Sequence, residues 1–234
     1  PATKDFEPTS AIPATRHALR EGKIVAVKGL GGFHLACDAT NPTAVGELRR
    51  RKLRVDKPFA VMMPDIETVR RHCATSAAEE ELLLSRARPI VLLRRRPKST
   101  IARETAPGQN LIGVMLPYTP LHYLLLEPEN DFPEALVMTS ANLSEEPIAY
   151  TNDEARERLA ALADALLLHN RDIHTRCDDS VMRVIAGADD REMVMPIRRS
   201  RGYAPFPVRL PRPSRPLLAT RGELKNTFCL VRDD

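Results

Sequence analysis

Short, unbroken apolar runs recur along this chain, with segments of helical period between them. Ile24–Val27, Phe59–Met63, Pro89–Leu93, Leu111–Met115 and Ala135–Met138 are such runs, and further strands are expected near 164–168, 181–185 and 192–197. A strand with one wet face alternates apolar and polar residues, whereas a strand covered on both faces is apolar throughout. The runs therefore predict an α/β fold: an open, twisted, mixed sheet with helices packed on it. Asn41 and Pro42 predict a helix from Thr43 to about Arg51, capped by the Asn41 side chain with proline at the first helical position. Further helices are expected at 65–72, 76–86, 121–126 and 152–163. At 234 residues, the chain holds one large domain or one domain plus part of another.

Composition narrows the function classes. With 43% hydrophobic and 28% charged residues, the chain reads as an ordinary soluble protein. It has no apolar run of about 18 residues, so no bilayer-spanning helix is expected. Pro1–Asp5 lacks the apolar core of a signal peptide, and a start at proline rather than Met predicts a piece of a longer protein. Cys37, Cys73, Cys177 and Cys229 are scattered with no CxxC pair, and the six histidines are equally dispersed. Free thiols, a cytoplasmic setting and no structural zinc are the expectation. The net charge of +4 is modest, but it is clustered: residues 49–54 carry five cations, and 193–222 hold seven arginines with no acid. Such patches either attract polyanions or form solvated faces.

Several motifs compete for the chemistry. Gly29-Leu30-Gly31-Gly32 is expected between a strand and a helix, yet it satisfies neither GxGxxG nor the P-loop spacing, so a tight turn at a pocket floor is the stronger reading. His169-Asn170-Arg171-Asp172 lacks the companions of a kinase catalytic loop. Asp178-Asp179 has the carboxylates to hold Mg²⁺, or to cap a turn. If Lys52-Leu53-Arg54 is extended, residues i and i+2 project together, and a lysine charge and an arginine fork meet one polyphosphate. Lys57 adds a third cation. Thr139-Ser140-Ala141-Asn142-Leu143-Ser144 follows an apolar strand, where small hydroxyls and an amide suit phosphate oxygens or hydrated Mg²⁺; an ordinary polar turn uses the same residues.

In order along the chain stand Gly31-Gly32-Phe33-His34-Leu35-Ala36-Cys37-Asp38, Lys52-x-Arg54-x-x-Lys57-Pro58, Arg88-Pro89-Ile90-Val91-Leu92 and Ile112 to Pro120. Thr139 to Ser144, His169 to Ile173 and Arg198-Arg199-Ser200-Arg201-Gly202-Tyr203 follow. This series resembles the YrdC-like domain of the carbamoyltransferases that mature NiFe hydrogenases, the HypF family, over roughly residues 8–208. The resemblance implies that carbamate, derived from carbamoyl phosphate, reacts with ATP to give carbamoyl-adenylate and pyrophosphate, with Mg²⁺ assisting. The carbamoyl group then passes to a hydrogenase maturation partner for cyanide-ligand synthesis. It implies catalytic roles for Lys52 and Arg54, ATP contacts from Lys57, Ser140, Asn142, Ser180 and Arg198, and acid binding at His34 and Thr139. The implied layout is a tail over 1–8, a YrdC-like ATP-binding adenylation domain over 9–208, a Pro/Arg linker over 209–216, and the first strand and loop of a truncated transferase domain over 217–234. Arg221 stands where that family usually has glycine.

Met115-Leu116 is apolar where related threonylcarbamoyl-adenylate synthases carry an arginine, which favours a smaller acid. Threonylcarbamoyl-adenylate synthesis and O-carbamoyl transfer to a small metabolite remain competing activities. A double-stranded-RNA-binding module is the competitor of another class, weakened by six Phe, four Tyr and no Trp as stacking platforms.

Overall fold

A computed structural model describes residues 10–143, 146–187, 191–208, 215–220 and 228–231. The expected tail, most of the linker, Ser144 and Arg221 lie outside the described residues. The chain divides into two compact units, 1–203 and 204–234.

The elements of the first unit run α1 (Ala11–Arg20), β1 (Val25–Lys28), β2 (Phe33–Asp38), α2 (Pro42–Arg51), β3 (Ala60–Met62), α3 (Ile66–His72) and β4 (Cys73–Ala74). They continue as α4 (Ala77–Leu84), β5 (Ile90–Arg95), a 3₁₀ turn at Arg103–Thr105, β6 (Leu111–Met115), α5 (Pro120–Leu125) and β7 (Leu136–Ser140). Last come α6 (Asn152–Arg158), β8 (Ala165–Leu167), β9 (Val181–Ala186) and β10 (Glu192–Arg198). The sheet order is β10-β9-β5-β6-β3-β7-β2-β1-β8, with β4 on the side of β5. β1–β8, β3–β6 and β5–β9 are parallel and the other pairs antiparallel, so the sheet is mixed as expected. In the second unit, β11 (Leu217–Thr220) and β12 (Phe228–Val231) pair antiparallel.

The unbroken apolar runs are explained by burial on both faces. Phe33, Leu35 and Val137 enter one core cluster with Leu48 of α2, while Val25, Val27, Ala36 and Met138 enter a second with Leu19 of α1 and Leu125 of α5. Alternate residues of one strand thus supply opposite clusters, as the period of two demands. Burying Phe33 and Phe59, both within 1% of zero exposure, contributes roughly 2–3 kcal/mol each. Asn41 caps α2 as read, its side chain accepting from the N–H groups of Thr43 (3.0 Å) and Ala44 (3.1 Å).

Four local expectations are corrected. Phe33–Asp38 is a strand, so the glycine loop joins two antiparallel strands rather than a strand and a helix. Its turn closes with the Gly29 N–H donating to Gly32 O at 2.9 Å. α6 stops at Arg158 instead of 163, and α1 was not expected at all. Most consequentially, Lys52-Leu53-Arg54 is not extended. Lys52 is the C-cap of α2 and Leu53 has φ +52°, a left-handed turn that closes the helix.

Candidate functional site

Register and the α2 turn bring together most of the residues singled out from sequence. His34 of β2 lies directly opposite Ser140 of β7, and Leu35 opposite Thr139. Because Ala36 and Met138 face the second core cluster, His34 and Ser140 project toward that side, and Thr139 toward the other. The left-handed residue Leu53 then turns the chain so that Lys52 and Arg54 both reach the end of β7, by a bend rather than by i,i+2 alternation.

Lys52 is buried, at 1% exposure, and its Nζ donates to Ser140 O (2.6 Å), to Asn142 O and to Asn142 Oδ1 (3.3 Å). An ammonium has three donors, so the charge sits under the loop and holds it, rather than swinging as a mobile phosphate ligand. Ser140 Oγ donates to Asn142 Oδ1 at 2.8 Å, and Asn142 Nδ2 donates to Glu146 O at 2.6 Å. The loop is therefore knotted by its own polar groups.

Arg54 Nη1 donates to Thr139 Oγ1 (3.3 Å), Nε to Lys57 O (2.9 Å) and Nη2 to Pro58 O (2.5 Å). Burial, followed by the nearby charges of Arg49 and Arg198, lowers its pKa to about 10. Among the described residues, neither Arg54 nor Arg198 meets a carboxylate; Arg198 donates only to Asp179 O, at 2.8 Å. Two guanidiniums that act on each other and meet no carboxylate among the described residues have the chemistry to receive an anion. The Lys57 side chain is exposed, and it is the Lys57 carbonyl that organises the arginines.

Ser180 is placed differently from expectation. It is fully buried, its Oγ donating to Arg201 O (2.9 Å) and accepting from the Ser200 N–H (2.7 Å). It fastens the Arg198–Arg201 segment through these two bonds.

Sequence reasoning missed the cluster beneath His34. His34 Nε2 lies 3.0 Å from Asp179 Oδ2, and Arg201 Nε donates to Asp179 Oδ1 at 2.7 Å. The Arg201 guanidinium sits 3.5 Å from the centroid of the Tyr118 ring, which meets His122 edge-on at 4.5 Å. Hydrogen bonds and charge from His34 and Arg201 hold the Asp179 carboxyl well below the usual range against its own burial. Burial first, then the charges of His34 and Arg201, lowers His122 to about 3. Tyr118 and Arg201 stood within quoted motifs, but nothing in spacing says they meet. Asp179 thus pairs with both His34 and Arg201. Among the described residues no group of three or more His, Cys, Asp or Glu side chains is placed to hold a metal ion. Met115 is fully buried in the second core cluster, where packing accounts for its apolar character. No helix among the described residues is long and apolar enough to cross a membrane.

Comparison with known proteins adds the relatives. Residues 17–199 match the model of the Sua5_yciO_yrdC family, which carries the description "Telomere recombination". The chain is 47% identical over 241 residues to Carbamoyltransferase HypF2 of Cupriavidus necator, covering 97% of this chain and 30% of that protein. Carbamoyltransferase HypF of Rhizobium leguminosarum bv. viciae is 49% identical over 218 residues, covering 92% and 28%. Threonylcarbamoyl-AMP synthase of Mus musculus is 29% identical over 150 residues, covering 64% and 52%. A crystal structure of full-length HypF in the phosphate- and nucleotide-bound form superposes with a TM-score of 0.84 at 50% identity, covering 97% of this chain and 35% of that one. The chain spans about 30% of the length of the curated carbamoyltransferases it matches.

Proposed function

From the premise that this chain belongs to the Sua5/YciO/YrdC family, we propose that it binds ATP and adenylates carbamate. The observation that carries this reading is the pair Arg54 and Arg198: two guanidiniums that meet no carboxylate among the described residues, with Lys52 adding a buried charge at the end of β7 that Arg54 reaches. The relatives named as carbamoyltransferases support carbamoyl as the group, and the nucleotide in one of their structures supports ATP.

In the proposed step, a carbamate oxygen forms a bond to the α-phosphorus while the bond from that phosphorus to the bridging oxygen breaks, and the electron pair leaves with pyrophosphate. Two anions must be aligned and their repulsion lowered, which asks for fixed positive charge more than for a base. Arg54 uses three of its five N–H donors within the protein, leaving two for phosphate oxygens. Arg198 supplies a second fork. Lys52 acts through its field and by fixing Ser140 and Asn142, and His34 and Thr139 border the place for the small acid. Mg²⁺ would enter on the triphosphate, and no step is assigned to it.

We place this activity in residues 9–208, with 217–234 as the start of the transferase portion. Carbamate from carbamoyl phosphate would feed it, and the carbamoyl group would go to a hydrogenase maturation protein for cyanide-ligand synthesis. The 29% identity to a threonylcarbamoyl-AMP synthase keeps a threonine-derived carbamate as the second reading.

The test is ATP-dependent formation of an AMP adduct, or pyrophosphate exchange, with carbamoyl phosphate and separately with bicarbonate plus ammonia. Lys52→Ala, Arg54→Ala and Ser140→Ala should each weaken ATP binding by about tenfold or more. Unchanged ATP affinity in all three would sink the site. Faster turnover with threonine and bicarbonate than with carbamate would move the assignment to the second reading.

A further inference from the structure

Arg49 was read from sequence only as part of a basic run, and it lies outside the residues assigned to ATP. It is 9% exposed, on the last turn of α2. Its five N–H donors all meet backbone carbonyls. Nε donates to Glu104 O; Nη1 donates to Arg54 O (3.0 Å) and Val55 O (3.0 Å); Nη2 donates to Lys57 O (3.2 Å) and Thr105 O (3.3 Å). No carboxylate among the described residues bonds it. Three of the five carbonyls belong to the turn that carries Arg54, and two to the 3₁₀ turn at Arg103–Thr105.

The Phe59 ring adds a second link. The Arg49 guanidinium carbon stands 4.6 Å from its centroid and that of Arg54 stands 4.8 Å, both within cation–π range. The Phe59 N–H in turn donates to Thr105 O at 2.8 Å, a carbonyl that Arg49 also holds. A buried cation that satisfies five carbonyls, three of them in one exposed turn, removes the freedom that turn would otherwise have. Leu53 and Val55 on that turn are 77% and 79% exposed, so apolar packing does not hold it.

We infer that Arg49 is the positioning residue of the anion seat: it fixes the turn 54–57 so that the Arg54 fork stands ready for a phosphate. This rests on the reading that Arg54 meets ATP. Lysine cannot replace Arg49 in full, because its three donors reach at most three of the five carbonyls and its point charge does not span both turns as the planar fork does.

The test is a double-mutant cycle on ATP affinity in the whole chain, with Arg49→Lys, Arg54→Ala and the pair, read beside amide hydrogen exchange at residues 54–59. Arg49→Lys should weaken ATP binding about tenfold in the native background and have almost no effect once Arg54 is alanine. The Phe59 amide should exchange faster in Arg49→Lys while the amides of β7 keep their protection. Equal losses of affinity in both backgrounds would overturn the inference, since Arg49 would then act on the fold at large. Unaltered exchange at 54–59 would overturn it as well. If Arg54→Ala leaves ATP affinity intact, the ATP reading of the seat fails and the inference falls with it, while faster exchange in Arg49→Lys would still show Arg49 holding the turn. Arg49→Gln, read in the same way, serves if Arg49→Lys does not fold.

Discussion

His122 shows how burial turns an ordinary side chain into a pH liability. Its ring is fully buried, both ring nitrogens lack a hydrogen-bond partner among the described residues, and its pKa falls to about 3. The unfolded chain takes up a proton near pH 6.5 and the folded chain does not, so this group contributes its full stability above about pH 6.5 and loses it as pH falls toward 3. The slope reaches at most about 1.4 kcal/mol per pH unit from this one site. His122→Phe should therefore lose less stability than the native chain between pH 7 and 5, read by urea unfolding at both pH values. Parallel losses would show that His122 is protonated in the fold. The same residue was invisible in sequence as anything but a histidine after Pro120-Leu121. Lys52 and Arg54 were visible as charge, but what they hold, one the 140–142 loop and the other Thr139 and its own turn, depends on atoms of residues 139–142.

The glycine loop between β1 and β2 is the element whose reading changed most. Its glycines are required by contact, not by a nucleotide. A Cβ on Gly31 would come within 2.4 Å of the Cys177 carbonyl oxygen, and Gly31 O accepts the Cys177 N–H at 2.9 Å. The close approach presses the segment leading to Asp179 against the hairpin, which is how Asp179 reaches His34. Backbone cannot retreat as a side chain can, so Gly31→Ala should destabilise the chain by roughly 2–4 kcal/mol. It should also alter the environment of His34, followed through its imidazole resonances. A variant as stable as the native chain would mean that the hairpin and the 177–179 segment do not pack this way. Sequence period missed β2 because Phe33–Asp38 carries His34 and Asp38 in an otherwise apolar run, and the preceding glycines suggested a helix start.

For the whole molecule, the proposed anion seat predicts linkage between ligand and stability. The charges of Arg49 and Arg198 oppose that of Arg54 in the free protein, and a bound polyphosphate would relieve that repulsion. ATP at one hundred times its dissociation constant should add about 2.7 kcal/mol, which for a chain of this size raises Tm by about 5–10 °C. Calorimetry with ATP, AMP and pyrophosphate checks this. The shift should shrink in Arg54→Ala, and a shift of equal size in that variant would place the nucleotide elsewhere.

The apolar runs, the Asn41–Pro42 helix start and the ordered motifs were enough to reach a mixed α/β sheet and the family, because period, capping and motif order are local properties of the chain. Tertiary structure alone decided that Leu53 turns left-handed and that Ser180 faces inward. It also decided that Asp179 pairs with His34 and Arg201, and that Arg49 holds a turn instead of facing water. Each of these depends on which backbone carbonyl or side chain, tens of residues away, comes within hydrogen-bond distance. A sequence says which groups can donate and accept; only the folded chain says which of them meet.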